Sequence, residues 1–234
     1  MTFGLRILND DGIVQIDEQY RNLVVISEGR VTTAVGGRGN AYGEVAFSSQ
    51  STCQPLIFVK PDSGVEVGDC QLSNGALSGG AWVIGPPWDH FAYECSGAFY
   101  YKVCGLDGTP APSGTHGMVV YDDAGQVAYD SRLSYMQIKS VHRLFSQASP
   151  AYQDVTVPSA GEWFLLNNLR INVKFGETGP FRAFSGKYLS STSLRIHCYG
   201  DSGTFADYGG GGGSFSTDQF DVDYSPLIVM TASF

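Results

Sequence analysis

Four histidines, His90, His116, His142 and His197, and the turn Gly200-Asp201-Ser202-Gly203 are the residues of this chain whose types could carry covalent chemistry. A serine nucleophile needs an imidazole that reaches its hydroxyl, and a carboxylate from another segment that holds the imidazole in one tautomer. None of the four histidines has the alanine-rich stretch that serine proteases place before theirs, and Thr204 stands where a further glycine would follow. Asp, Ser and Gly are turn formers first, so Ser202 reads as part of a turn between strands. Asp221 and Asp223 share a strand face but lack the further oxygen ligands of a cation site. Gly36-Gly37-Arg38-Gly39 is no phosphate cradle either: Tyr42 takes the place of the third glycine and no helical pattern follows. With no H-E-x-x-H, Walker loop or G-x-S-x-G elbow, the reading is of a protein that is not an enzyme and uses no cofactor or metal.

One constellation points to recognition. In Gly85-Pro86-Pro87-Trp88-Asp89-His90 the prolines cannot donate to a sheet ladder, which places Trp88 on a loop. An indole stacks on the C–H face of a sugar while neighbouring Asp and His take its hydroxyls. Trp88, Asp89 and His90, with Tyr208 beside the polyglycine run, are therefore the candidate contacts for a protein partner or, in the alternative reading of a receptor-binding module, for a bacterial surface glycan. The competing reading has Trp88 plugging the end of a sandwich.

The elements that position these residues are strands. Gly4 to Asp17 carries Asn9-Asp10-Asp11-Gly12 between two short apolar runs, and 113 positions later Gly117 to Asp130 carries Asp122-Asp123-Ala124-Gly125 between two more. Each copy reads as a β-hairpin: the acidic side chains accept from backbone N–H groups two residues on, and the glycine takes the positive φ. Val14 and Ile16, like Val127 and Tyr129, are expected on one face, with Gln15 and Ala128 on the other.

These two stretches, G-L-x-I-x-N-x-x-G-x-x-x-x-D from Gly4 and G-M-x-V-x-D-x-x-G-x-x-x-x-D-S from Gly117, resemble a group of small tail proteins of bacteriophages that infect Gram-negative bacteria. The resemblance covers the hairpins and the overall layout. It implies a structural component of a virion at the distal tail, near the tip or the fibres, with other tail proteins as partners. It implies no catalytic residues.

Composition agrees with an all-β chain. Thirty Gly, thirteen Tyr and fourteen Phe favour strands and turns over helices. Only 16% of residues are charged, which fits a protein that hides surface against neighbours, and a homo-oligomer, first of all a trimer, is expected. The net charge of −9 comes with dispersed basic residues, against nucleic acid or an anionic membrane as a partner. Met1-Thr2-Phe3-Gly4 opens no secretory signal and no apolar run is long enough to span a bilayer, so folding in the host cytoplasm before assembly into the virion is expected. Cys53, Cys70, Cys95, Cys104 and Cys198 are odd in number and contain no C-x-x-C pair, which reads as free structural thiols.

The expected fold is an antiparallel β-sandwich, with residues 1–114 and 115–234 as related halves that each open on a hairpin, or one sandwich that uses the turn twice. Leu106 to Thr115, with Pro110 and Pro112, is the linker between the halves. Strands are expected at Leu23 to Ser27, Arg30 to Val35, Leu56 to Lys60, Tyr135 to Val141, Gln153 to Val157, Glu162 to Leu166, Leu169 to Phe175 and Leu227 to Met230. Gly209 to Gly213 is a surface loop or an arm between subunits.

Overall fold

A computed structural model describes residues 6–8, 14–17, 23–32, 43–51, 53–73, 88–106, 115–144, 152–158, 161–167, 183–199 and 227–234. The expected strand at 169–175, the glycine loop 209–213, Ser202, Tyr208, Asp221 and Asp223 lie outside the described residues, as does the 107–114 part of the linker. Every regular element described is a strand: β1 (Arg6–Leu8), β2 (Val14–Asp17), β3 (Val24–Val31), β4 (Gly43–Ser51), β5 (Leu56–Pro61), β6 (Val67–Ser73), β7 (Trp88–Cys95), β8 (Phe99–Gly105), β9 (Val119–Tyr121), β10 (Val127–Asp130), β11 (Gln137–Leu144), β12 (Tyr152–Thr156), β13 (Trp163–Leu165), β14 (Ala183–Ser190), β15 (Ser193–Tyr199) and β16 (Leu227–Ser233).

Two antiparallel six-stranded sheets hold twelve of them, in the orders β11-β16-β13-β5-β8-β3 and β12-β15-β14-β6-β7-β4; β1-β2 and β9-β10 are separate hairpins. The sheets share one core. Ile57, Val59, Phe99, Val103, Phe164, Leu166 and Val229 of the first meet Val67, Phe91, Tyr93, Val155, Leu194 and Ile196 of the second, all buried. Side chains alternate across each strand, so every second residue is committed to this layer. Each such aliphatic or aromatic side chain stabilises the fold by about 1.5–3 kcal/mol relative to exposure.

The first sheet is buried on its other face as well. Val25, Phe58, Cys104, Leu165 and Ala232 form a second apolar cluster, with Leu23 and Met136 packed on it. Those two immediately precede the outermost strands β3 and β11, whose N-terminal ends meet: Val25 N–H donates to Ser134 C=O at 2.9 Å and Met136 N–H to Leu23 C=O at 3.2 Å, with Val24 bridged to Tyr135. Burial on both faces is why Leu23-Val24-Val25-Ile26 and Leu56-Ile57-Phe58-Val59 are unbroken apolar runs and not alternating ones.

The pairing maps onto itself when β1 to β8 are exchanged for β9 to β16. Both strand orders are palindromic under that exchange. The registers follow it residue by residue. Val24↔Gly105 and Val31↔Phe99 of β3/β8 correspond to Gln137↔Ser233 and Leu144↔Leu227 of β11/β16, and the unpaired bulge residue Ile26 corresponds to Lys139. Arg6↔Asp17 and Leu8↔Val14 of the first hairpin correspond to Val119↔Asp130 and Tyr121↔Val127 of the second. Val45↔Phe91 corresponds to Val155↔Leu194. Each sheet thus takes three strands from residues 1–114 and three from 115–234, joined at its centre by β5/β13 or β6/β14.

The second hairpin shows the turn chemistry its residues require. Asp122 Oδ1 accepts from Ala124 N–H at 3.0 Å and Gln126 N–H at 2.7 Å, and Gly125 has a φ of 75°. Val127 is exposed and Ala128 is buried. Tyr129 stacks on Tyr135, with centroids 4.9 Å apart.

Candidate functional site

Trp88 does not sit on a loop, which corrects the expectation drawn from the proline pair. It is the first residue of β7, opposite Ser51, and packs half-buried against the core. The ladder begins at the first residue after the prolines, so nothing in their chemistry forbids it. Asp89 and His90 are brought together, with 2.7 Å between Asp89 Oδ1 and His90 Nδ1. Of the predicted contact set, the described structure thus unites Asp89 and His90 and turns Trp88 toward packing.

His197 lies on the outer face of the second sheet. It is the cross-strand neighbour of Ser185, yet the two do not form a nucleophile and base. The Glu66 carboxylate lies between them, accepting from the Ser185 hydroxyl and sitting 2.9 Å from His197 Nδ1, with Lys187 Nζ at 3.6 Å. Burial by itself would raise the Glu66 pKa; the hydrogen bonds from Ser185 and His197 and the charges of His197 and Lys187 outweigh it and hold the carboxyl below its usual range. On the same face Arg195 forks onto both oxygens of Asp154 at 2.7 and 2.8 Å and lies 3.9 Å from the centroid of the Tyr152 ring.

His142 anchors a second network, in the core. Glu162, 1% exposed, accepts from the Thr231 hydroxyl, itself fully buried, at 2.5 Å. Thr231 Oγ1 lies 2.6 Å from Ser140 Oγ, and Ser140 Oγ lies 2.8 Å from His142 Nε2. Because the Thr231 proton is committed to Glu162, the Ser140 hydroxyl donates to Thr231 and His142 Nε2 donates to Ser140. The imidazole therefore gives a hydrogen bond to the serine and does not take its proton. Burial pushes the His142 pKa below its ordinary value, with Glu162 opposing. Beside Glu162 a cleft of about 290 Å³ is lined by Lys60, Ser63, Tyr188, Ser190 and Ser191 among others, and the Tyr188 hydroxyl donates to Glu162 C=O at 2.7 Å. The sequence held one signal for this network: Ser140 and His142 are two apart in an alternating strand, hence on one face.

The internal repeat supplies a control for each of these positions. Ser140, His142 and Thr231 correspond to Ser27, Gly29 and Val103, so the relay exists in one half only. The difference is larger on the outward face. Glu28, Arg30, Tyr100 and Lys102 are charged or polar and mutually satisfied: Lys102 pairs with Glu28, and Arg30 donates to Asp62 Oδ2 at 2.5 Å and to the Tyr100 hydroxyl at 3.2 Å. The corresponding residues are Val141, Arg143, Ile228 and Met230. Val141 is 57% exposed, and Ile138, two pairs away, is 52% exposed.

Among the described residues no group of three or more His, Cys, Asp or Glu side chains could hold a metal ion, and no helix is long and apolar enough to cross a membrane. No family model matches the chain, and neither does any curated protein or solved structure.

Proposed function

We propose that the chain is a non-enzymatic structural component of a tailed-phage virion, placed at the distal tail, where it joins other tail proteins through an exposed sheet edge. One observation carries the assembly role: β11 and β3 are equivalent outer strands of one sheet, and where β3 holds Glu28 in an ion pair, β11 leaves Val141 exposed. Natural sheet proteins blunt an open edge with charged side chains because its unpaired N–H and C=O groups template pairing with other chains. Edge β3 carries Glu28 and Arg30 in ion pairs. Edge β11 presents Val141 and Ile138 to solvent, and along its length β16 is its paired neighbour among the described residues. The resemblance of the repeated acidic-glycine hairpins to those of small phage tail proteins supports the placement in a tail.

The test is incorporation. Particles assembled with the wild-type chain should contain it by mass spectrometry of purified tails, and Val141→Lys should remove it while leaving the circular dichroism unchanged. A chain absent from wild-type particles ends this reading.

A further inference from the structure

We infer that β11 accepts a strand from a partner protein, an extended segment in which acidic and apolar residues alternate, and that this strand adds to the first sheet as its seventh. The inference rests on the assembly reading above and gives the partner its chemistry.

Charge decides the occupant. The eight residues of β11, Gln-Ile-Lys-Ser-Val-His-Arg-Leu, include the cations Lys139 and Arg143 and no carboxylate, in a chain whose net charge is −9. The strand is a cationic stripe on an acidic protein. A second copy presenting the same strand would set two cationic strands side by side, and the antiparallel register that joins Val141 to Val141 places each Lys139 against the other copy's Arg143. Like charges directly opposite one another destabilise a pair, whereas opposite charges stabilise it by about 0.2–1 kcal/mol each. Self-pairing is therefore disfavoured by the residues that make an acidic strand welcome.

The register sets the pattern of the guest. Val141 and Arg143 share the outward face with Met230 and Ile228, their cross-strand partners. An added antiparallel strand would place an apolar residue opposite Val141 and an acidic one opposite Arg143, two positions away on the same face. Small polar residues would lie between, beside Ser140 and His142. Main-chain hydrogen bonds would supply affinity and the alternating side chains specificity, as in other strand-addition complexes. The twin edge cannot accept this guest, because Glu28 occupies the position of Val141 and Lys102 is already paired with it.

The probe that follows is the capped heptapeptide Thr-Glu-Thr-Val-Thr-Glu-Thr, titrated into the full chain and followed by amide chemical shifts, with Thr-Lys-Thr-Val-Thr-Lys-Thr as its charge-reversed partner. The glutamate peptide should shift the β11 amides and bind at least tenfold more tightly than the lysine peptide. The double variant Lys139→Glu/Arg143→Glu, altered only at the solvent edge, should reverse that preference. Equal binding of both peptides, no shift at millimolar peptide, or shifts centred on β3 or β12 overturns the inference. So does a dimer in solution that Val141→Lys dissolves, since the occupant would then be a second copy. Failure of the peptide with incorporation into particles still dependent on Val141 sinks only the acidic-strand chemistry; absence from particles sinks the assembly reading beneath it.

Discussion

Phe58 lies directly opposite Leu165 in the β5/β13 pair, at the point where the two halves of the first sheet join. Both are buried in the second apolar cluster, and the Phe234 ring meets Phe58 edge-on at 5.7 Å. Because this pair sits at the centre of the repeat, its loss weakens both halves together. Phe58→Ala is expected to cost about 3–5 kcal/mol, the range for buried aromatic truncation, read as a lower urea midpoint in a single cooperative transition. Two separate transitions would show that the halves fold independently.

Gly68 holds the equivalent place in the second sheet, opposite Ser185. A Cβ there would lie 2.3 Å from Phe184 C=O and 2.7 Å from Ser185 Cβ. The nearest obstacle is backbone, so no rotamer change relieves it. Gly68→Ala is expected to destabilise by about 1–3 kcal/mol, as overpacking does, with the largest amide shifts along β6 and β14.

Thr231→Val tests the buried relay. It removes the hydroxyl that donates to Glu162 and costs that buried carboxylate one hydrogen bond, an expected loss of about 1–3 kcal/mol. The reciprocal change at the corresponding site, Val103→Thr, buries a hydroxyl in the core without the acceptor that Glu162 provides in the other half, and should also destabilise. A neutral Thr231→Val would show that the relay contributes nothing to stability.

Acid should weaken the fold in two stages. His142 has a folded pKa below its ordinary 6.5, so the folded state resists its protonation and stability begins to fall as pH drops below that value. Hydrogen bonds from Arg132 and Arg195 hold Asp130 and Asp154 below the ordinary 3.8, and Glu66 lies below 4.5. Their contribution is complete above those ordinary values and is lost as pH falls through the lowered folded ones. Urea midpoints across this range should decline below pH 6.5 and again below about 4.5. Asp154→Asn should shrink the second decline, and an unchanged decline would show that the Arg195 pair is not linked to folding.

Thiol reactivity should separate the cysteines. Cys104 is fully buried and its pKa is pushed up to about 12 by burial, with Lys102 opposing, whereas Cys53 is exposed. Only thiolate reacts with a disulfide reagent. The native chain should lose one rapidly reacting equivalent on Cys53→Ser, and Cys104 should react only after denaturation.

Local chemistry made much of this legible. Asp122 and Gly125 specify their turn from within a few residues, and the unbroken runs Leu23 to Ile26 and Leu56 to Val59 announce strands buried on both faces. The 113-residue spacing of the hairpins marked the repeat, because turn residues answer to their own backbone whatever surrounds them. The candidate site was harder to see. Trp88 beside two prolines reads as a loop until the ladder with β4 is known, and the link from Glu162 to Thr231 cannot be read from an apolar run, since Thr231 is 69 positions away in sequence.

The residues alone determined the strand class, the second turn and the doubled hairpin, all of which depend on backbone preference and side-chain period over a handful of positions. Only the tertiary structure decided that each sheet would be assembled from both halves, that Ser140 and Thr231 would link His142 to Glu162, and that Val141 would stand exposed where Glu28 stands paired. Those outcomes depend on which strands become neighbours. That choice is set by burying the largest apolar area across long loops, a property of the whole chain and of no segment within it.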